Sequence, residues 1–84
     1  MDSSIRLLGI VPYEGMKTLL LRLAEEYPQI QLDVFVGNME EGAEIAREHL
    51  SRRYDAVISR GGTALLLREL PLPVVEIEIS LYDI

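Results

Sequence analysis

The 84-residue chain has no cysteine and one histidine, and its basic residues are few. Without cysteine there are no disulfide staples, no thiolate metal ligands and no cysteine nucleophile. With His49 as the only imidazole, a hydrolase triad has one candidate base. His49 falls late in a helix beside Arg52 and Arg53, away from Ser59, and reads as a packed or solvated side chain. Eight Lys and Arg stand against fourteen Asp and Glu, a net charge of −6. Nucleic-acid binding by charge needs the opposite balance, so no direct nucleic-acid contact is expected. No apolar run approaches the roughly 20 residues that cross a bilayer, so no membrane partner is expected. Met1-Asp2-Ser3-Ser4 has no basic, then apolar, leader pattern, and a cytoplasmic location is the default. GxGxxG and GxxxxGK[ST] are both missing, so no dinucleotide, NTP or other cofactor is expected. There is no internal repeat, linker or low-complexity stretch.

What is present is a chain of 49% hydrophobic and 26% charged residues, the composition of a folded domain. Its length suits one small domain, residues 1–84, with a modest core. The first strand, Ile5 to Val11, is apolar except at Arg6 and Gly9, as in a parallel strand covered on both faces. A first helix is expected from Glu14 to Tyr27, with Met16, Leu19, Leu20, Leu23, Ala24 and Tyr27 in one apolar stripe. Pro28 stops it. A second strand runs from about Gln31 to Val36. The second helix begins at Asn38 as N-cap, with Glu41 in a capping-box position. Met39, Ala43, Ala46 and Leu50 form its buried side.

The third strand is Ala56 to Ser59, and the third helix about Thr63 to Leu70. The last strand runs from Pro73 to Ile79. There Val75, Ile77 and Ile79 alternate with Val74, Glu76 and Glu78. The glutamate face reads as an edge, a pocket wall or a surface that another piece of protein covers. Alternating strands and helices imply an α/β fold with a parallel sheet of flavodoxin-like or Rossmann-like type. The expected strand order is 2-1-3-4, with three helices in two outer layers.

In such a sheet the chain reverses direction between strands one and three, and ligands bind at the strand ends there. Two loops flank that crevice, Pro12-Tyr13-Glu14-Gly15 and Ser59-Arg60-Gly61-Gly62-Thr63. Ser80-Leu81-Tyr82-Asp83 follows along the same rim. Glycines let backbone N–H groups approach a ligand, and Arg60 suits a carboxylate or phosphate. Ser59 and Thr63 add hydroxyls. The same glycines would also serve a plain strand-to-helix turn, with Thr63 as N-cap. The expected ligand site is therefore Ser59, Arg60, Gly61, Gly62 and Thr63, with Pro12, Tyr13, Ser80 and Tyr82 around it. Tyr13 and Tyr82 serve equally as pocket walls or rim packing. Glu14 fits best as an acidic residue at a helix start. Glu76, Glu78 and Asp83 are the nearest thing to a metal cluster, but Asp83 lies beyond the strand.

The stretches "YDAVISRGGTALLLRE" and "LPVVEIEISLYDI" resemble the N-terminal sensor domain of the propionate catabolism activators, which are sigma-54-dependent transcription regulators. "GIVPYEGM" and "GNMEEGAEIAREHL" carry the resemblance over nearly the whole chain. Leu81 departs from it, standing where the pattern has glycine. The resemblance implies an effector-sensing lobe that binds a small organic acid or phosphate-type anion and is not itself an enzyme. It carries over Ser59, Arg60, Gly61, Gly62, Thr63, Ser80, Tyr82 and Asp83, with Glu76 in the preceding strand. It also implies a second lobe beyond Ile84, and separate ATPase and DNA-binding modules. Two other classes stay open. One is a flavodoxin-like enzyme or phosphotransfer component, which Asp33 and Asp55 serve poorly because neither ends a strand. The other is a dimerisation domain using the strand-four edge or the glutamate face.

Overall fold

Each strand of this chain reaches the next through a helix, which is the connection that parallel pairing requires. A computed structural model describes residues 4–77. The element order is β1 (Ile5–Val11), α1 (Glu14–Ala24), β2 (Ile30–Val36), α2 (Glu40–Glu48), β3 (Ala56–Ser59), α3 (Gly61–Leu67) and β4 (Val74–Glu76). A single 3-10 turn, Leu50–Arg52, follows α2. The four strands form one sheet in the order β2-β1-β3-β4, as expected. All three pairings are parallel.

Register divides the side chains between two faces. Leu8 stands beside Val57. Together with Ile10 they pack under Ala43 and Ala46 of α2 and Leu67 of α3. On the opposite face Val11 and Val34 pack under Met16 of α1. The domain is thus a three-layer α/β sandwich. Leftward α1 and rightward α2 and α3 occupy opposite faces because βαβ crossovers are right-handed.

Several boundaries differ from the sequence expectation. α1 ends at Ala24 rather than Tyr27, and the chain continues in a turn in which the Tyr27 N–H bonds the Ala24 carbonyl. Its predicted stripe is only partly used. Met16 is buried and Leu20 half-buried, whereas Leu19, Leu23 and Tyr27 are exposed. α2 begins at Glu40, with Met39 as N-cap. The Asn38 side chain does not cap it; the Asn38 carbonyl accepts the N–H groups of Glu41 and Gly42 instead. α3 begins at Gly61 with Arg60 as N-cap, two residues before the expected start at Thr63, and ends at Leu67 rather than Leu70. β4 covers only Val74–Glu76, and Glu78 and Ile79 lie outside the described residues.

The amino-terminal edge of the sheet is tied by polar contacts. The Tyr54 hydroxyl donates to the Asp33 carboxylate at 2.7 Å, and the Arg6 guanidinium lies over the Tyr54 ring at 5.0 Å. The Arg6 N–H donates to the Asp55 carboxylate at 2.8 Å, and its guanidinium donates to the Arg52 carbonyl. Burial first, and then the bond to Asp33 and its negative charge, raise the Tyr54 pKa; Arg52 opposes them. Because the folded value is raised, the stabilising contribution is complete below the unfolded tyrosine pKa of about 10. It is lost as pH rises from there through the folded value. The urea midpoint of the wild type should therefore fall more steeply above about pH 10 than that of Tyr54→Phe. Equal slopes would remove Tyr54 as the source.

Candidate functional site

The reversal between β1 and β3 leaves their carboxyl ends side by side with no crossover helix between them. The loop after β1 carries Pro12 and Tyr13, and the loop after β3 carries Arg60, Gly61 and Gly62. Tyr13 is 50% exposed, and its carbonyl accepts the Met16 and Lys17 N–H groups that open α1. Its ring folds back over Gly15, where an added Cβ would lie 3.3 Å from it. Pro12 is half-buried beside it.

Arg60 is exposed and extended (φ −138°, ψ 142°), and its side chain makes no cap hydrogen bond. Its carbonyl accepts the Ala64 N–H at 3.4 Å. Gly61 follows at φ +57°, a conformation that side chains other than glycine's rarely adopt. A Cβ on Gly61 would meet nothing within 4 Å. Glycine is therefore required there by the turn itself, and the space beside its backbone is open. Gly62 differs, since its Cβ position lies 2.7 Å from the Met39 sulfur. Met39 covers it from the β2–α2 loop.

The two hydroxyls proposed from sequence are turned inward. Ser59 is fully buried and donates to the Ile10 carbonyl at 2.8 Å, tying β3 to β1. Thr63 is 4% exposed; its Oγ1 accepts the Met39 N–H at 2.7 Å and donates to the Asn38 side-chain oxygen at 3.4 Å. Both residues shape the loop from beneath. Ser59→Ala should cost about 1 kcal/mol in urea unfolding, the usual contribution of one buried hydrogen bond. Arg60, Gly61, Pro12 and Tyr13 make the outer surface. Ser80, Tyr82 and Asp83 lie outside the described residues.

Sequence reasoning missed Met39. Its backbone (φ 51°, ψ −123°) is one that glycine prefers, at a cost on the order of 1–3 kcal/mol for any other residue. The Thr63 hydroxyl and the packing on Gly62 hold it there. No pattern around Met39 marks it, because it reads as one more apolar residue of α2.

The remaining polar chemistry lies elsewhere. Glu76 stands opposite Ser59 on β4 and is exposed. The His49 ring donates through Nδ1 to the Ile45 carbonyl at 2.7 Å and packs on Phe35 at 4.3 Å. It closes the far end of α2. Among the described residues no three His, Cys, Asp or Glu side chains converge as metal ligands. No helix among them is long and apolar enough to cross a membrane.

Comparison with known proteins places this arrangement. The family model of the propionate catabolism activator matches residues 26–84, which include β2 to β4 and the Arg60–Gly62 loop. The chain belongs to the propionate catabolism activator family. A crystal structure of an NtrC family transcriptional regulator from Clostridium acetobutylicum superposes with a TM-score of 0.81 at 24% identity. That match covers 96% of this chain and 43% of the regulator's, so the chain spans less than half of that relative's length. It supports the fold of this propionate-activator domain independently of its sequence. No curated protein matches the chain.

Proposed function

We propose that the domain is an effector-sensing lobe of a transcription regulator and binds a small organic acid or phosphate-type anion against Arg60 and Gly61. The observation that carries this reading is the pairing of an exposed, uncapped Arg60 side chain with the open backbone of Gly61 at the β1–β3 reversal. A planar guanidinium offers two parallel donors to a carboxylate or phosphate. Pro12 and Tyr13 wall the same end of the sheet. Ser59 and Thr63 belong to the site as supports, and Ser80 and Tyr82 are its further candidates along the rim. A second lobe of the longer regulator would close over this surface. Closure on the anion then biases one of two arrangements of the lobes.

The domain works by binding rather than catalysis. Its one imidazole has Nδ1 committed to Ile45 and sits at the end of α2 away from the loop.

The test is a thermal shift of the chain against short di- and tricarboxylates and inorganic phosphate. Binding at a hundred dissociation constants stabilises by about 2.7 kcal/mol, a rise of several degrees. At least one anion should raise the melting temperature, and Arg60→Ala should abolish the rise while leaving the unliganded midpoint unchanged. A shift that survives Arg60→Ala would falsify the assignment of this loop.

A further inference from the structure

The chain holds three methionines and no cysteine, so its sulfur chemistry is methionine chemistry. Met16 is 3% exposed, packed between α1 and the sheet, whereas Met39 is 48% exposed. Met1 lies outside the described residues. Among the described residues, Met39 is therefore the methionine open to a dissolved oxidant. Accessibility decides which sulfur is oxidised first.

Met39 also stands where its side chain matters to the anion loop. Its thioether lies on Gly62, where an added Cβ would be 2.7 Å from Sδ and 3.0 Å from Cε. Its N–H donates to Thr63 Oγ1 at 2.7 Å. These two contacts join the β2–α2 loop to the β3–α3 turn. Together they retain a backbone at φ 51°, ψ −123°. Such a backbone persists only while its surroundings over-determine it. Removing one of two restraints therefore favours a relaxed loop.

Oxidation removes the restraint made by sulfur. It converts a flexible apolar side chain into a polar one. A sulfoxide oxygen is more stable in water than against apolar packing. The half-exposed position lets the side chain turn outward to reach that water.

We propose that Met39 is a reversible oxidation site whose sulfoxide releases the β2–α2 loop from Gly62 and so weakens anion binding at Arg60 and Gly61. The weakening rests on the anion site proposed above; the oxidation and the release do not. The oxidant is a peroxide. One peroxide oxygen bonds to a sulfur lone pair as the O–O bond breaks, and the other leaves as water after proton transfer. Sulfur gives up two electrons and the peroxide takes them. A thiol-dependent sulfoxide reductase reverses the step, with two thiols becoming a disulfide and the oxygen leaving as water.

Hydrogen peroxide treatment of the chain, followed by peptide mass analysis and amide exchange, tests the proposal. Met39 should gain one oxygen about tenfold faster than Met16. The Met39 amide should then exchange about tenfold faster than in the reduced chain, and reductase treatment should reverse the change. Met39→Gln, polar and of similar length, should exchange like the oxidised chain without any peroxide. In Met39→Leu the same amide should not respond to peroxide. Equal oxidation of Met16 and Met39 would overturn the proposal, as would exchange unchanged in both the oxidised chain and Met39→Gln. For binding, an anion that raises the melting temperature of the reduced chain should raise that of the oxidised chain less. An equal rise would overturn the regulation. No rise in the reduced chain would instead sink the anion site, while the exchange result still decides the release of the loop.

Discussion

Gly42→Ala is expected to destabilise the domain by about 3 kcal/mol, at the upper end of the usual penalty for overpacking. A Cβ on Gly42 would lie 2.8 Å from Ile10 Cγ2, 2.9 Å from the Gly37 carbonyl oxygen and 2.9 Å from Thr63 Cγ2. Ordinary carbon contacts begin near 3.5 Å, so all three neighbours must move. None moves easily. Ile10 is fully buried in the central strand, Gly37 O is backbone, and Thr63 is held by two hydrogen bonds. A domain of this size has a total stability of roughly 4–12 kcal/mol, so the loss is a large share. Urea unfolding should show a lower midpoint with an unchanged slope, and the melting temperature should drop by about 15 °C. A change below ~1 kcal/mol would mean that α2 shifts outward without resistance.

Thr63→Val is the second large effect, at about 2 kcal/mol. Valine keeps the shape of threonine and removes its oxygen. The Met39 N–H then loses its acceptor in a part-buried site, and the desolvation of that donor is no longer offset. Met39 also loses the bond that holds it at φ 51°. The change should appear locally as well as globally. Amide exchange at Met39 should accelerate well beyond that of the core strands, and Thr63→Ser should restore most of the protection. Equal exchange in Thr63→Val and wild type would show that packing on Gly62, not the hydroxyl, fixes the loop.

Both substitutions act where sequence reasoning was least able to see. The strands and their order were legible because β1 and β3 are short apolar runs bounded by Pro12, Asp55 and Arg60. Alternation with amphipathic helices then left few topologies. The loop at the β3 end was legible as a place, since two adjacent glycines beside an arginine are conspicuous. The roles inside it were not. Serine and threonine look alike as ligand donors and as buried struts, and only the Ile10 carbonyl and the Met39 N–H decide between them. The starts of α2 and α3 were misjudged for a related reason. Asn38 and Thr63 are good N-cap types, yet the caps fell to Met39 and Arg60. The Thr63 hydroxyl is engaged across the loops, so it does not turn back on its own helix. The residues on α1 were read as one apolar stripe, and periodicity counts apolar residues without saying how many the sheet can cover. The surplus, Leu19, Leu23 and Tyr27, became surface.

The pairing pattern also governs how this chain must fold. No two neighbouring strands are joined by a hairpin, so no sheet contact forms locally. Ile5 pairs with Ile30, and Leu7 with Ala56, and each closure spans a helix or more. Loop-closure entropy must be met before any of these contacts forms, which slows folding relative to a helical bundle of equal size. During synthesis β1 emerges first and waits longest. As the central strand it acquires a second neighbour only when β3 has left the ribosome. Until then the apolar stretch from Leu7 to Val11 is exposed along at least one edge, and that interval is when the nascent chain is most open to aggregation.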